Sequence, residues 1–90
     1  MASDLLPEPF GDELVLELSK PISIGEQTYE SITLTEPTAG QLIESGKAGT
    51  PMEQIAKLIN LNGKVPASVV NRMLQRDFDK ASDFFGHFSS

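Results

Sequence analysis

Ninety residues are enough for one small domain, whose hydrophobic core is correspondingly limited. The chain has no cysteine, which excludes disulfide bonds and metal sites built from thiolates. Its 13 acidic and 7 basic residues give a formal net charge of −6. Because binding to phosphates needs clustered lysine and arginine, which this sequence lacks, we expect no nucleic-acid partner.

Residues 1–12 are predicted to form a flexible acidic tail, because prolines and a glycine interrupt their short apolar runs. They have neither the basic start nor the apolar segment of a signal peptide, so we expect none. No apolar run reaches the roughly 18 residues that span a membrane, and we expect no membrane partner. Residues 13–90 are predicted to form the domain, with a β-hairpin over 13–35 and helices over 38–88.

Apolar and polar residues alternate over residues 13–18, which predicts a β-strand with one buried face. Pro21 has no N–H for the strand ladder, so it indicates a kink or an edge at that point. The alternation then resumes, Gly25 supplies a turn, and β-branched and aromatic residues over 28–34 predict a second strand. The residues expected on the core side of this hairpin are Leu16, Ile32 and Leu34.

Two capping patterns mark the change from strand to helix. Thr38 is followed three residues later by Gln41, so a hydroxyl and an amide can each accept a bond from the other residue's backbone N–H. Thr50 and Glu53 repeat this spacing, with a proline at the favoured first helical position. These patterns predict the starts of the first two helices.

Apolar residues spaced three and four apart predict how the helices pack. Leu42 and Ile43 are expected to point inward from the first helix. Pro66 opens a short third helix, and a fourth begins near Asp77, whose charge suits a helix N-terminus. The predicted class is α+β: an N-terminal β-hairpin followed by about four short helices in a single small domain. The apolar stripe of the second helix is Met52, Ile55, Ala56 and Ile59.

No set of residues has the pattern of a catalytic, cofactor-binding or metal site. His87 is the only histidine and has no nucleophile motif to accompany it, so we interpret it as a surface residue. Asp77, Asp79 and Asp83 lack the loop spacing of a calcium site and are interpreted as a solvated acidic face. We therefore expect a protein that is not an enzyme and needs no cofactor.

The last helix carries many aromatic side chains for so small a domain. Phe78 and Phe85 are predicted to pack against the core. Phe84 and Phe88, together with Leu58 beside the stripe of the second helix, are predicted to bind a partner or another copy of the chain, because exposed apolar patches mark such sites. The alternative that the whole helix is buried stays open, since terminal helices commonly dock on their own core.

An ordered set of segments carries a family resemblance. The segments are Lys20-Pro21-Ile22, the turn containing Gly25, Tyr29, residues 32–40 (ITLTEPTAG), residues 55–63, the proline-led helix at Pro66, and Asp77-Phe78. Over roughly residues 13–88, the chain resembles the small tail assembly chaperones of Mu-like and P2-like phages.

This resemblance implies a non-catalytic chaperone that binds the tape-measure protein and keeps it soluble during tail assembly. It also implies action in the host cell cytoplasm, absence from the mature virion, and a longer form made by ribosomal frameshifting. Self-association into oligomers is a further expectation. Two alternatives stay open: a structural tail subunit that remains in the particle, and a generic acidic adaptor that binds proteins.

Overall fold

The computed structural model describes residues 13–88. In this part of the chain a two-stranded antiparallel sheet is followed by four helices, which confirms the predicted α+β class. The predicted acidic tail lies outside the described residues. The elements are β1 (Glu13–Ile24), β2 (Gln27–Thr35), α1 (Ala39–Gly46), α2 (Pro51–Gly63), α3 (Ala67–Arg72) and α4 (Gln75–His87).

The hairpin changes register in the middle of β1. Glu17 pairs with Ser31 before the change, and Ile22 pairs with Tyr29 after it. Residues 18–21 of β1 therefore lie opposite a single residue of β2, so the strand bulges and bends there. Pro21, at which a kink or an edge was predicted, is the last residue of this stretch, so the predicted kink is confirmed.

The core lies between one face of the hairpin and helices α2, α3 and α4. Its buried apolar residues are Leu16, Leu18, Ile22, Ile32, Leu34, Leu58, Ile59, Val65, Val69, Val70, Ala81, Phe84 and Phe85. Ile55 packs against this cluster from a partly buried position. None of the buried apolar residues comes from α1, so this helix joins the domain by other means.

A network of polar side chains joins the end of β2, the start of α1 and the end of α2. The side-chain oxygen of Asn62, a buried residue, accepts a bond from the Thr35 N–H (2.8 Å), and its amide nitrogen donates to the side-chain oxygen of Gln41 (2.9 Å). The same Gln41 oxygen accepts the Thr38 N–H (3.2 Å), and the Gln41 N–H donates to the Thr38 hydroxyl (3.1 Å). The capping box predicted at Thr38 is thus present, and the Asn62 side chain hydrogen-bonds to its Gln41 side chain.

With this network in place, the side of α1 that faces the core is opposite to the side that was predicted to do so. Ser45, one turn beyond Gln41, is buried, and its hydroxyl donates to the carbonyl of Leu42 (3.1 Å). Because the polar side of the helix faces inward, Leu42 and Ile43 are 48% and 64% exposed. The prediction that these two residues point inward is wrong.

Two described residues have positive φ, and a third position needs glycine for space. Gly25 (φ 61°) opens the two-residue turn between the strands, and Lys64 (φ 57°) ends α2 in the left-handed conformation that glycine usually supplies. Gly63 lies against the hairpin instead, where an added Cβ would be 2.6 Å from Cγ2 of Ile32. The close packing of α2 on β2 therefore depends on the missing side chain at this position.

Candidate partner-binding surfaces

The orientation of α4 is set by a buried acid. Asp77 is only 1% exposed. Its two carboxylate oxygens accept the backbone N–H of Ser19 (2.8 Å) and the hydroxyl of Ser19 (2.9 Å), both within the bulge of β1. The expectation that Asp77 belongs to a solvated acidic face is wrong, whereas Asp79 and Asp83 are exposed.

Burying Asp77 decides which aromatic rings of α4 face the core. Ala81, Phe84 and Phe88 follow Asp77 at helical spacings of four, seven and eleven, so they share its inward stripe. Phe84 is completely buried, Phe88 is partly buried, and Phe78 lies at the edge, where it is partly exposed. A pattern of apolar residues alone does not include Asp77 and therefore gives a different rotation of the helix.

Two of the three residues predicted to bind a partner lie in the core. Phe84 contacts Phe85 and Phe88 edge to face, with ring centroids 5.5 Å and 5.1 Å apart, and Leu58 is buried in α2. The predicted exposure of Phe84 and Leu58 is corrected, since neither offers surface in the monomer. Phe88 is partly buried and packs against the core cluster.

An apolar groove lies between α2, α3 and the start of α4. We call it the methionine groove, and it has a volume of about 470 Å³. Its apolar lining consists of Met52, Ala56, Val70, Met73 and Phe78. Met52 is 69% exposed, the most exposed large apolar side chain in the described residues. This groove is therefore a candidate partner-binding surface.

A second depression continues the methionine groove along α2. It has a volume of about 290 Å³ and extends to Asn60 and Ala48. Glu53 and Ala56 line both depressions, and Lys57 lines the second. Glu53 and Lys57 are the charged side chains of the combined surface, and Asn60, Asn71 and Gln75 add amide groups to its otherwise apolar lining.

Glu53 is held by the cap of α2 and not by Lys57. The Glu53 N–H donates to the Thr50 hydroxyl (3.1 Å), and that hydroxyl bonds with the Glu53 carboxylate (3.2 Å). The second half of the predicted capping box is thus made to the hydroxyl of Thr50 in place of its backbone N–H. The ion pair found within residues 13–88 is Lys47–Glu44, which leaves Lys57 without an acidic partner there.

The described residues contain no group of three or more histidine, aspartate or glutamate side chains able to hold a metal ion. His87 stacks edge to face on Phe88, with centroids 5.2 Å apart. Every buried side-chain nitrogen and oxygen in residues 13–88 has a hydrogen-bond partner. The three buried polar residues of this part of the chain, Ser45, Asn62 and Asp77, therefore all make hydrogen bonds.

The sequence from residue 15 to residue 90 matches the family model described as "Phage tail assembly chaperone proteins, E, or 41 or 14". The chain belongs to this family. The match covers most of the chain and confirms the resemblance found in its sequence. No curated protein and no solved structure gives a significant match. Among the helices of residues 13–88, none has the length and apolar character needed to cross a membrane.

The exposed apolar surfaces lie within the part of the chain that the tail assembly chaperone family model matches. The family match includes both the methionine groove and the outward face of α1. Sequence patterns place Met52 in the apolar stripe of the second helix and Met73 in the predicted third helix, whereas in the structure Met73 follows the end of α3. A groove formed by three helices has no signal within any one of them, so only the packed structure brings these side chains together.

Proposed function

We propose that this chain binds the tape-measure protein of its phage and keeps that protein soluble until tail-tube subunits polymerise around it. The observation that carries the proposal is the family match over residues 15–90. The role is non-catalytic, and it is exercised in the host cell cytoplasm before the tail is complete. The chain is then absent from the mature virion.

The exposed apolar surface supports a role in covering another protein. Val15, Leu42, Ile43 and Met52, on β1, α1 and α2, are each about half exposed or more, and a partner that covered them would remove apolar surface from water. The net charge of −6 keeps such a surface soluble through repulsion between copies. A small acidic domain of this kind suits repeated, replaceable contacts along a long client.

Co-expression tests the proposal directly. Fragments of the tape-measure protein, produced with and without this chain, are separated into soluble and insoluble fractions. We expect the chain to raise the soluble yield of at least one fragment and to co-purify with it. If every fragment distributes identically with and without the chain, the proposal is wrong.

The alternative of a structural tail subunit is tested on assembled particles. Quantitative mass spectrometry of purified virions is expected to find the tube and tape-measure proteins without this chain. A fixed number of copies per particle would favour the structural role. The neighbouring genes provide an independent check, since a tail-tube gene and a very long tape-measure gene are expected on either side.

A further inference from the structure

We propose that residues 6–10 (LPEPF) pair with the outer edge of β1 as a third, antiparallel strand. They lie outside the described residues, and Gly11 and Asp12 join them to the start of β1 at Glu13. The inference is independent of the proposed function, and it gives these residues an edge to cover in place of the flexible tail expected from the sequence. Three features support it: the direction of the backbone groups of β1, the spacing of two prolines, and one exposed apolar side chain.

The backbone of β1 alternates between facing β2 and facing away from it. In an antiparallel ladder, pairs that exchange hydrogen bonds alternate with pairs whose N–H and C=O groups point outward. The Thr35 N–H donates to Asn62 (2.8 Å) and not to Glu13 opposite it, so Glu13–Thr35 is one of the outward-pointing pairs. The alternation then directs the backbone groups of Val15 and Glu17 away from β2 as well.

The first half of β1 has room for another strand on this side. Within residues 13–88, its outward backbone groups form no hydrogen bond with a loop or helix before Ser19, whose N–H donates to α4. A depression of about 310 Å³ lies beside this stretch, lined by residues 14–17 of β1 and by Lys80 and Asp83 of α4. An uncovered edge of this kind is a template on which another strand can pair.

The two residues before β1 provide the reversal that this pairing needs. Gly11-Asp12 has the composition of a two-residue hairpin turn. The hairpin between β1 and β2 also turns at a glycine followed by an acid, and Gly25 has a φ of 61° there. A two-residue turn at Gly11-Asp12 places Phe10 opposite Glu13 in a hydrogen-bonded pair. The outward backbone groups of Glu13 then have partners.

The spacing of the two prolines fits an edge strand in this register. Leu6, Glu8 and Phe10 direct their N–H groups toward β1, whereas Pro7 and Pro9 face outward, where a strand residue needs no N–H. Each proline restricts its own φ and keeps the residue before it extended, so residues 6–9 are all held in strand-like conformations. A register shifted by one residue would turn both prolines toward β1 and remove their two donors from the ladder.

The pairing also covers an exposed apolar side chain. Val15 is 56% exposed, on the face of the hairpin opposite to the core. In this register Glu8 lies directly opposite Val15, and Leu6 and Phe10 are its diagonal neighbours on the same face, within reach of large side chains. The two prolines lie on the other face, toward the depression beside α4. The segment therefore removes apolar surface from water and leaves the exposed residues of α1 and α2 open to a partner.

Paired cysteine variants of the full chain test the register, because the chain has no cysteine of its own. Glu8→Cys with Val15→Cys is the test pair, since Cα atoms opposite each other in a hydrogen-bonded pair are about 5.5 Å apart, within reach of a disulfide. Glu8→Cys with Thr33→Cys is the matched control. Thr33 is exposed and pairs with Val15 from β2, so it lies two strand spacings from residue 8, about 10 Å, which a disulfide cannot bridge.

Both variants are equilibrated in a thiol–disulfide buffer, and mass spectrometry with non-reducing gels measures closure of the disulfide and the number of chains it joins. We expect the test pair to close within one chain, with an equilibrium constant about tenfold or more above that of the control, a difference of about 1.4 kcal/mol. Adding Phe10→Pro to the test pair should abolish this preference, because it removes an N–H that faces β1. Adding Pro9→Ala should preserve it, because that nitrogen faces away.

Three results would overturn the inference. If the test and control pairs close equally, residues 6–10 take no fixed position on the sheet, as a flexible tail would. If neither pair closes, the segment lies elsewhere. If the test pair joins two chains, the edge of β1 accepts the segment of a second copy. None of these measurements involves the tape-measure protein, so the proposed function stands or falls separately.

Discussion

Asp77 and Ser19 join the first residues of α4 to the bulge of β1 through two hydrogen bonds, although 58 positions separate them in the chain. The bulge leaves the Ser19 N–H without a partner on β2, and the buried carboxylate of Asp77 accepts it. The kink in the hairpin and the rotation of the last helix therefore depend on each other.

Removing this link is expected to destabilise the domain. Asp77→Ala should lower the free energy of unfolding by about 1.5–3 kcal/mol, because two hydrogen bonds to a charged group are lost. Asp77→Asn should cost less, since an amide can accept the Ser19 N–H and donate to the Ser19 hydroxyl. Urea denaturation measures both, with the exposed Asp79→Ala as control, expected within about 0.5 kcal/mol of the parent. Equal losses for Asp77→Ala and Asp79→Ala would refute the structural role of the link.

The polar network at Asn62 makes a second prediction. Asn62→Ala leaves the Thr35 N–H and the Gln41 amide oxygen without their buried partner, which should cost about 1–3 kcal/mol. Asn71→Ala, an exposed change on α3, should cost less than about 0.5 kcal/mol. Thermal and urea unfolding check both. A parent-like Asn62→Ala would mean that α1 is held by something else.

Two glycines should respond to alanine with opposite signs. In Gly63→Ala the new Cβ meets the Ile32 side chain at 2.6 Å, and such overpacking typically costs about 1–3 kcal/mol. In Gly86→Ala nothing lies within 4 Å of the new Cβ, and helix propensity predicts a gain of roughly 0.5–1 kcal/mol. Relative to the parent, the denaturation midpoint of Gly63→Ala should fall and that of Gly86→Ala should rise. A shift in the same direction would contradict the close approach of α2 to β2.

The apolar residues of α1 and α4 should differ sharply. Phe84→Ala removes a completely buried ring, and a loss of about 3–5 kcal/mol is most of the stability of a domain this small. Leu42→Ser with Ile43→Ser changes exposed side chains and should stay within about 0.5 kcal/mol. Circular dichroism melting curves compare them. If the Leu42/Ile43 double variant unfolds, the inward orientation of these residues that the sequence predicts would be correct after all.

The sequence predicts those parts of the fold that local patterns determine. The alternation that includes Leu16 and Ile32 gives the hairpin and its core face, and Thr38 gives the start of α1. The orientations of α1 and α4 depend on Asn62 and Asp77, whose partners lie 27 and 58 positions away. A polar residue in isolation looks like a surface residue, so the apolar pattern assigns α1 the wrong inward face. On α4 it misplaces Phe84 but correctly places Phe85 in the core.

The candidate site is less predictable than the fold. Met52 has the spacing of a core residue on α2, but no other element covers it, and it is 69% exposed. The end of α2 is tied to α1 through Asn62 and closely packed on β2 at Gly63. Whether a neighbouring helix covers an apolar residue of α2 depends on where that helix ends. The sequence of α2 alone does not contain this information.

Sedimentation velocity of the chain with the full tape-measure protein tests the central claim most directly. Both are co-expressed and purified through a tag on the tape-measure protein alone. We predict one fast-sedimenting soluble species that contains several copies of the chain per tape-measure protein, as repeated weak contacts along a long client require. Separate sedimentation of the two proteins, or a tape-measure protein equally soluble without the chain, would contradict the account.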